Sequence, residues 1–172
     1  TQTIEASGDV HISLPENQGE IKADRWFRDA TSDSTSGSGD VRFTQAKAET
    51  LTIASDRFSS GEKRNRTLFT GSVSLRQGQW RGNAHTATVH KQGDRVVLKG
   101  ETQLARPRSE TDSTSTTADK TVMITEASLL RGMELTGSSR IDIQREEEAG
   151  HVSTAVSADT SRLAFDGGDL TD

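Results

Sequence analysis

Apolar and polar residues alternate with a period of two along most of this chain. Val10, Ile12 and Leu14 are separated by His11 and Ser13, Val41 and Phe43 by Arg42, and Phe69, Val73 and Leu75 share one parity with Gly71. The same period runs through Val96, Leu98, Gly100, Thr102 and Leu104, then Leu135, Gly137, Ser139, Ile141 and Ile143, then Val152, Thr154 and Val156. Successive side chains of a strand point to opposite faces, so this pattern predicts strands with one apolar face each. Glu126, Leu129 and Leu130 lie in the one stretch that passes for a helical turn, and it is too brief to stand alone as a helix.

A glycine inside the alternation recurs at Gly8, Gly39, Gly71, Gly100 and Gly137. A second strand follows each, often carrying a small residue and an aspartate: Ala23-Asp24, Ser55-Asp56, Ala118-Asp119 and Ala158-Asp159. In the third unit Asn83-Ala84-His85 holds that place. The unit is therefore strand, turn, strand, repeated about five times. One two-stranded ribbon is marginal in water, whereas stacked units bury a continuous layer. The segments 28–38, 105–116 and 145–150 lack periodicity and are expected as mobile loops.

Leu, Ile, Val and Phe together number only 32 of 172 residues, close to the composition of disordered chains. The net charge of -5 is too small to complete that signature. Ser and Thr total 42, which suits exposed strand faces better than a thick core. Spread over about five repeats, the apolar set lines one narrow face. No apolar run approaches the ~18 residues of a membrane helix, and the start at Thr1 reads as a processed or truncated chain. The absence of Cys removes disulfides, thiolate metal sites and a cysteine nucleophile, and the acidic balance opposes nucleic-acid binding.

No enzyme chemistry emerges from the residues. His11, His85, His90 and His151 are scattered without ligand spacing, so neither a metal nor a cofactor is expected. Glu146, Glu147 and Glu148 read as a solvated turn. Gly37 and Gly39 precede a strand and do not open a helix, which excludes a phosphate loop. The repeated Asp24, Asp56, Asp119 and Asp159 lack the dense Gly/Asp repeats of calcium solenoids and are expected to accept backbone N–H groups at strand ends or turns. The aromatics, Trp26, Phe27, Phe43, Phe58, Phe69, Trp80 and Phe165, suit either a packed core or an apolar groove.

Residues 51–104 resemble the OstA/LptA-like family of lipopolysaccharide-transport proteins. The resemblance is carried by Ile53-Ala54-Ser55-Asp56, by the phrase FTGSVSLRQG from Phe69, by the strand through Ala84, Ala87 and Val89, and by VVLKGETQL ending at Leu104. It is most specific over 68–104 and extends as a repeat pattern over most of the chain. The resemblance implies a single all-β domain over 1–172, an elongated β-jelly roll or β-taco of two facing antiparallel sheets. It also implies a periplasmic, non-enzymatic carrier that shields lipopolysaccharide acyl chains in an apolar groove. Its partners would be LptC-like and LptD-like jelly rolls, or further copies of itself, joined end to end through edge strands at Val10, Ile12 and Leu14 and from Val152 to Phe165. The alternation then assigns the groove to Val10, Ile12, Ile21, Val41, Phe43, Leu51, Ile53, Phe69, Val73, Leu75, Trp80, Val97 or Leu98, Leu104, Val122, Ile124, Leu135, Ile141, Ile143, Val152 and Val156. A one-residue slip would exchange the faces. Four other readings remain: the periplasmic domain of an LptC-like membrane-anchored component, an LptD-like N-terminal domain, a structural or adhesive β-solenoid without lipid, and a carbohydrate-active β-helix enzyme, which would require carboxylates clustered on one exposed face.

Overall fold

The computed structural model describes residues 3–14, 19–46, 48–61, 65–90, 94–109, 112–126, 129–147, 150–166 and 169–170. They form strands β1 (Thr3–Ser13), β2 (Glu20–Asp29), β3 (Ser34–Gln45), β4 (Leu51–Gly61), β5 (Arg66–Gln77) and β6 (Trp80–His90). The series continues with β7 (Arg95–Pro107), β8 (Ser113–Glu126), β9 (Leu129–Glu147), β10 (Gly150–Asp166) and β11 (Asp169–Leu170). Each strand pairs with its neighbours in chain order, from β1 at one edge to β11 at the other.

The five repeated glycines lie inside strands, where they set a corner. Gly8, Gly39, Gly71, Gly100 and Gly137 have φ of 101°, 78°, 78°, 81° and 75°, a region that L side chains rarely enter. In the last four the next residue is left-handed too: Asp40, Ser72, Glu101 and Ser138. The ladder breaks register at each corner, as a β-bulge does, so the strands bend there. Each odd strand from β1 to β9 runs straight through its glycine and turns back into the even strand that follows, the strand-turn-strand unit that the repeats predict.

The two facing sheets are thus two walls of one folded sheet, with the corners aligned along a ridge. The first wall holds the odd strands before their glycine, and the second wall holds them after it. Phe43 on the second wall meets Phe69 on the first at a centroid distance of 5.4 Å. Trp80 and Phe165 meet edge-on at 5.7 Å, and Leu130 donates its N–H to Glu49 Oε2 at 3.3 Å. These contacts bring the free lips of the walls together.

The aspartates sit mid-strand, not at strand ends or turns. A Cβ built on Gly39 would collide with Asp24, one on Gly71 with Asp56, one on Gly137 with Asp119, and one on Gly100 with His85. Each even strand therefore lays one side chain over the corner glycine of the next odd strand. The register is the same at all four junctions. The residue after the covering side chain pairs with the residue before the glycine, as in Arg25 with Ser38, Arg57 with Thr70, Thr86 with Lys99 and Lys120 with Thr136. Two residues before it, Lys22, Ala54, Asn83 and Thr117 pair with Arg42, Ser74, Gln103 and Arg140. Successive acids stand two strands apart, about 10 Å, or four where His85 intervenes between Asp56 and Asp119, so they form no shared carboxylate site.

Much of what the sequence marks as loop is strand. Over 28–38 only 30–33 turns, and there the Asp29 carboxylate accepts from Ser32 Oγ and from Thr31 N–H, both at 2.8 Å. Those two bonds hold Asp29 below the usual carboxylate range, the Ser32 hydroxyl contributing most. Over 105–116, β7 reaches Pro107 and β8 starts at Ser113; Asp112 closes the turn, its carbonyl accepting from Arg108 N–H at 2.8 Å. Asp112 Oδ1 also accepts from Glu146 N–H at 2.7 Å, tying this turn to β9, which runs to Glu147. Glu126 ends β8, and Leu129 and Leu130 open β9, in the stretch judged too brief to stand as a helix. Residues 127–128 and Glu148 lie outside the described residues.

Toward the C-terminal end, hydroxyls replace aliphatics inside the ridge. Thr102 Oγ1 donates to Ala118 O at 2.9 Å and shares a 2.7 Å hydrogen bond with Thr121 Oγ1; Ser139 does the same with Ala158 O and Ser161. Thr102→Val should cost about 1–3 kcal/mol, because it leaves buried partners unsatisfied. Thr102→Val with Thr121→Val should recover most of that loss, since only the Ala118 carbonyl then loses a donor. Urea denaturation of the single and double variants checks this, and equal losses in both would show that the two hydroxyls do not act as a pair.

Candidate functional site

The space between the walls is the candidate site, and strand parity decides what faces it. Ile21, Val41, Phe43, Leu51, Ile53, Phe69, Val73, Leu75, Trp80, Leu98, Leu104, Leu135 and Ile141 all point inward and are buried. Between Val97 and Leu98, it is Leu98 that is fully buried. Val10, Ile12 and Ile143 point inward and are half-buried.

Ile124 is a correction. It faces outward at 39% exposure, and Val122, though buried, shares its parity, while Thr121, Met123 and Thr125 face inward. The cause is the register break between Thr117 and Lys120: the parity of Thr114, Thr116 and Ala118 does not continue past the corner. The same rule brings in Phe58, Ala87, Val89, Met123, Leu163 and Phe165, which lie past the covering residue of an even strand, and Val96 and Met133 of the odd strands join the buried cluster with them.

The interior is filled in the middle of the molecule and open at its ends. Phe43, Ile53, Phe69, Leu98 and Leu135 leave almost no accessible surface. At the β1 end, inward Ile4 is 55% exposed, and Trp26 is half-buried with its Nε1 shielded from solvent and unpartnered. At the β10 end, Val152 and Val156 face inward at 41% and 47% exposure. These inward apolar residues continue the buried rows without a covering strand. Exposed large apolar residues at a sheet edge mark an interaction surface more often than a free one.

One concavity opens at the lip near the β10 end, with a volume of about 290 Å³. Trp80, Ile143 and Phe165 give it apolar walls, and Arg106, Arg108, Arg145, Asp112 and Glu146 surround them. Such a mouth presents apolar surface behind charged groups, as an amphiphile requires. Two larger open concavities, of about 1060 and 710 Å³, lie along the outer side, among residues such as Arg25, Phe27 and Arg57 in the first and Arg76, Arg81 and Gln103 in the second. Among the described residues no group of three or more His, Asp or Glu lies within reach of one metal ion.

Comparison with known proteins adds three findings. Residues 52–152 match the family described as LptA/(LptD N-terminal domain) LPS transport protein. No curated protein matches the chain. Among solved structures, the fold is similar to that of LptH from Pseudomonas aeruginosa, the LptA-homologous periplasmic component of the conserved lipopolysaccharide transport device. The TM-score is 0.55 at 16% sequence identity, over 67% of this chain and 84% of that one. At that identity the likeness speaks for the fold. The family match covers more than half of the chain and spans the corners at Gly71, Gly100 and Gly137, and on it the chain belongs to the LptA/LptD N-terminal family of LPS transport proteins.

Proposed function

We propose that this protein is a periplasmic carrier that takes lipopolysaccharide acyl chains between its two walls and passes them to neighbouring jelly rolls joined at its edges. The observation that carries the reading is the largely apolar interior, whose rows surface at both ends of the folded sheet through Ile4, Val152 and Val156. Each buried CH2 contributes about 0.8 kcal/mol, so a few acyl chains gain enough to part the lips held by Glu49 with Leu130 and by Trp80 with Phe165. The arginines of the lip near Trp80 suit the phosphates of a lipid headgroup. Edge strands β1 and β10 supply main-chain donors and acceptors for strand addition by LptC-like and LptD-like partners. The same architecture suits the periplasmic domain of an LptC-like anchored component.

A second reading, a structural β-solenoid without lipid, draws on the filled middle of the interior. Site-specific photo-crosslinking separates the two. A photoreactive residue at Phe43 or Leu75 is expected to label lipopolysaccharide strongly, while the same group at Leu68, 36% exposed on the outer face, labels at background. Equal labelling at all three positions would overturn the carrier reading in favour of the solenoid.

A further inference from the structure

The outer face of the first wall gathers positive charge on a chain whose net charge is -5. Across β4 to β8 strand parity turns Arg57, Arg66, Arg95, Lys99 and Lys120 outward, and among the described residues no Asp or Glu shares the three outward rows they occupy. Lys99 and Lys120 stand directly opposite each other on β7 and β8, and Arg66 stands opposite His90. Like charges opposed on adjacent strands destabilise a sheet. Among the described residues none of the five side chains has an acidic partner that offsets this. Glu126, just beyond the patch, pairs with Arg131 at 3.5 Å, while Asp56 and Asp119 lie over Gly71 and Gly137. Between the rows of cations, Leu68, Val97 and Val122 share an apolar row, and Leu68 and Ile124 are 36% and 39% exposed.

We propose that this face docks the protein on an anionic phospholipid bilayer, with the five cations on headgroup phosphates and Leu68 and Ile124 at the headgroup boundary. The patch spans about 20 Å across the strands, wide enough to meet several headgroups at once. Cations around exposed apolar side chains suit a membrane surface. An acidic peptide gains less here, because β5 to β8 are paired on both sides and offer no main-chain bonds to an added strand. The proposal goes beyond the carrier reading and does not require lipid between the walls. Since many headgroups must be met together, lipopolysaccharide dispersed as single molecules does not hold this face, and Leu68 stays a background position for crosslinking.

Vesicle flotation of the whole chain tests the proposal, using vesicles of phosphatidylglycerol with phosphatidylcholine and vesicles of phosphatidylcholine alone. Binding is expected with the anionic vesicles only, and is expected to fall as the ionic strength rises from about 0.02 M to about 0.5 M. Lys99→Gln with Lys120→Gln should weaken it at least about tenfold. Their melting temperature should not fall, because the change relieves an opposed pair. Arg76→Gln with Arg81→Gln removes equal charge from an opposed, exposed pair on the outer face of the second wall, and should change binding less than about twofold. Equal weakening by the two double variants would reduce the effect to net charge and overturn the docking face. Equal binding to phosphatidylcholine alone, or to neither vesicle, also overturns it. Binding to polyglutamate that is lost in Lys99→Gln with Lys120→Gln, without binding to any vesicle, would assign the face to an acidic protein instead. Labelling of Phe43 by lipopolysaccharide does not depend on this face, so failure here is distinguishable from failure of the carrier reading.

Discussion

Gly71→Val is expected to lower the melting temperature by about 10–15 °C, whereas Gly8→Val costs much less. At Gly71 two penalties combine. Its φ of 78° costs an L residue about 1–2 kcal/mol, more when β-branched. Its new Cβ also collides with the Asp56 carboxylate and comes within 3.0 Å of the Asp56 Cβ, inside a strand paired on both sides. Together these place the loss at about 3–5 kcal/mol, and each kcal/mol moves Tm by about 2–4 °C in a chain of this size. Gly8 bears only the dihedral penalty, because open space surrounds it. Thermal unfolding of the two variants thus isolates the covering aspartate. Asp56→Ala placed in the Gly71→Val background should restore part of the loss, the remainder being dihedral strain. If both glycine variants fall equally, the aspartate does not constrain the corner.

The corners also explain what the sequence conceals. The spacing of five glycines is plain to read, and with it the count of repeats, but period-two counting carried past the covering residue of an even strand assigns the wrong face on the far side, while an odd strand keeps its face through the glycine, as Phe69 and Val73 do. Val122 and Ile124 are lost that way, because the corner at Asp119, which covers Gly137 of the next strand, sits between them and the alternation that precedes. Counting afresh from each covering residue restores the pattern. The second and fourth residues after it face inward, which recovers Phe58 after Asp56, Ala87 and Val89 after His85, Met123 after Asp119 and Leu163 after Asp159. Composition hides a second feature. Ser113 to Thr117 offers no apolar signal, yet Thr114 and Thr116 take inward positions and are buried, the Thr116 hydroxyl without a hydrogen-bond partner. The interior site is legible where simple alternation holds, in Ile21, Phe43, Ile53 and Leu75 of the second wall and in Phe69, Leu98 and Leu135 of the first, and obscure where the even strands enter the first wall past their covering residue. No periodicity reveals that the lips touch: Glu49 meets Leu130, and Trp80 meets Phe165, across long stretches of chain.

Phe69→Ala should cost about 3–5 kcal/mol, while Leu68→Ala, one residue away, should stay within about 1 kcal/mol. Phe69 has no exposed surface and touches Phe43 across the fold; Leu68 stands on the outer face. Removing both rings, Phe43→Ala with Phe69→Ala, should cost less than the sum of the single losses by about 0.5–1.5 kcal/mol, the energy of a tilted aromatic pair counted twice otherwise. Equal losses at Phe69 and Leu68 would contradict the assignment of faces. The larger consequence concerns lipid. A Phe69→Ala interior has a void between its walls, and an acyl chain entering it meets apolar surface without having to displace the ring. Lipopolysaccharide should therefore raise the Tm of Phe69→Ala by more than it raises that of the unsubstituted chain, because ligand that binds the folded state stabilises it in proportion to the logarithm of its occupancy ratio. A thermal-shift titration of both proteins reads this difference. If the deficit of Phe69→Ala is unchanged at every lipopolysaccharide concentration, the acyl chains do not enter between the walls, and the filled interior is then structural core alone.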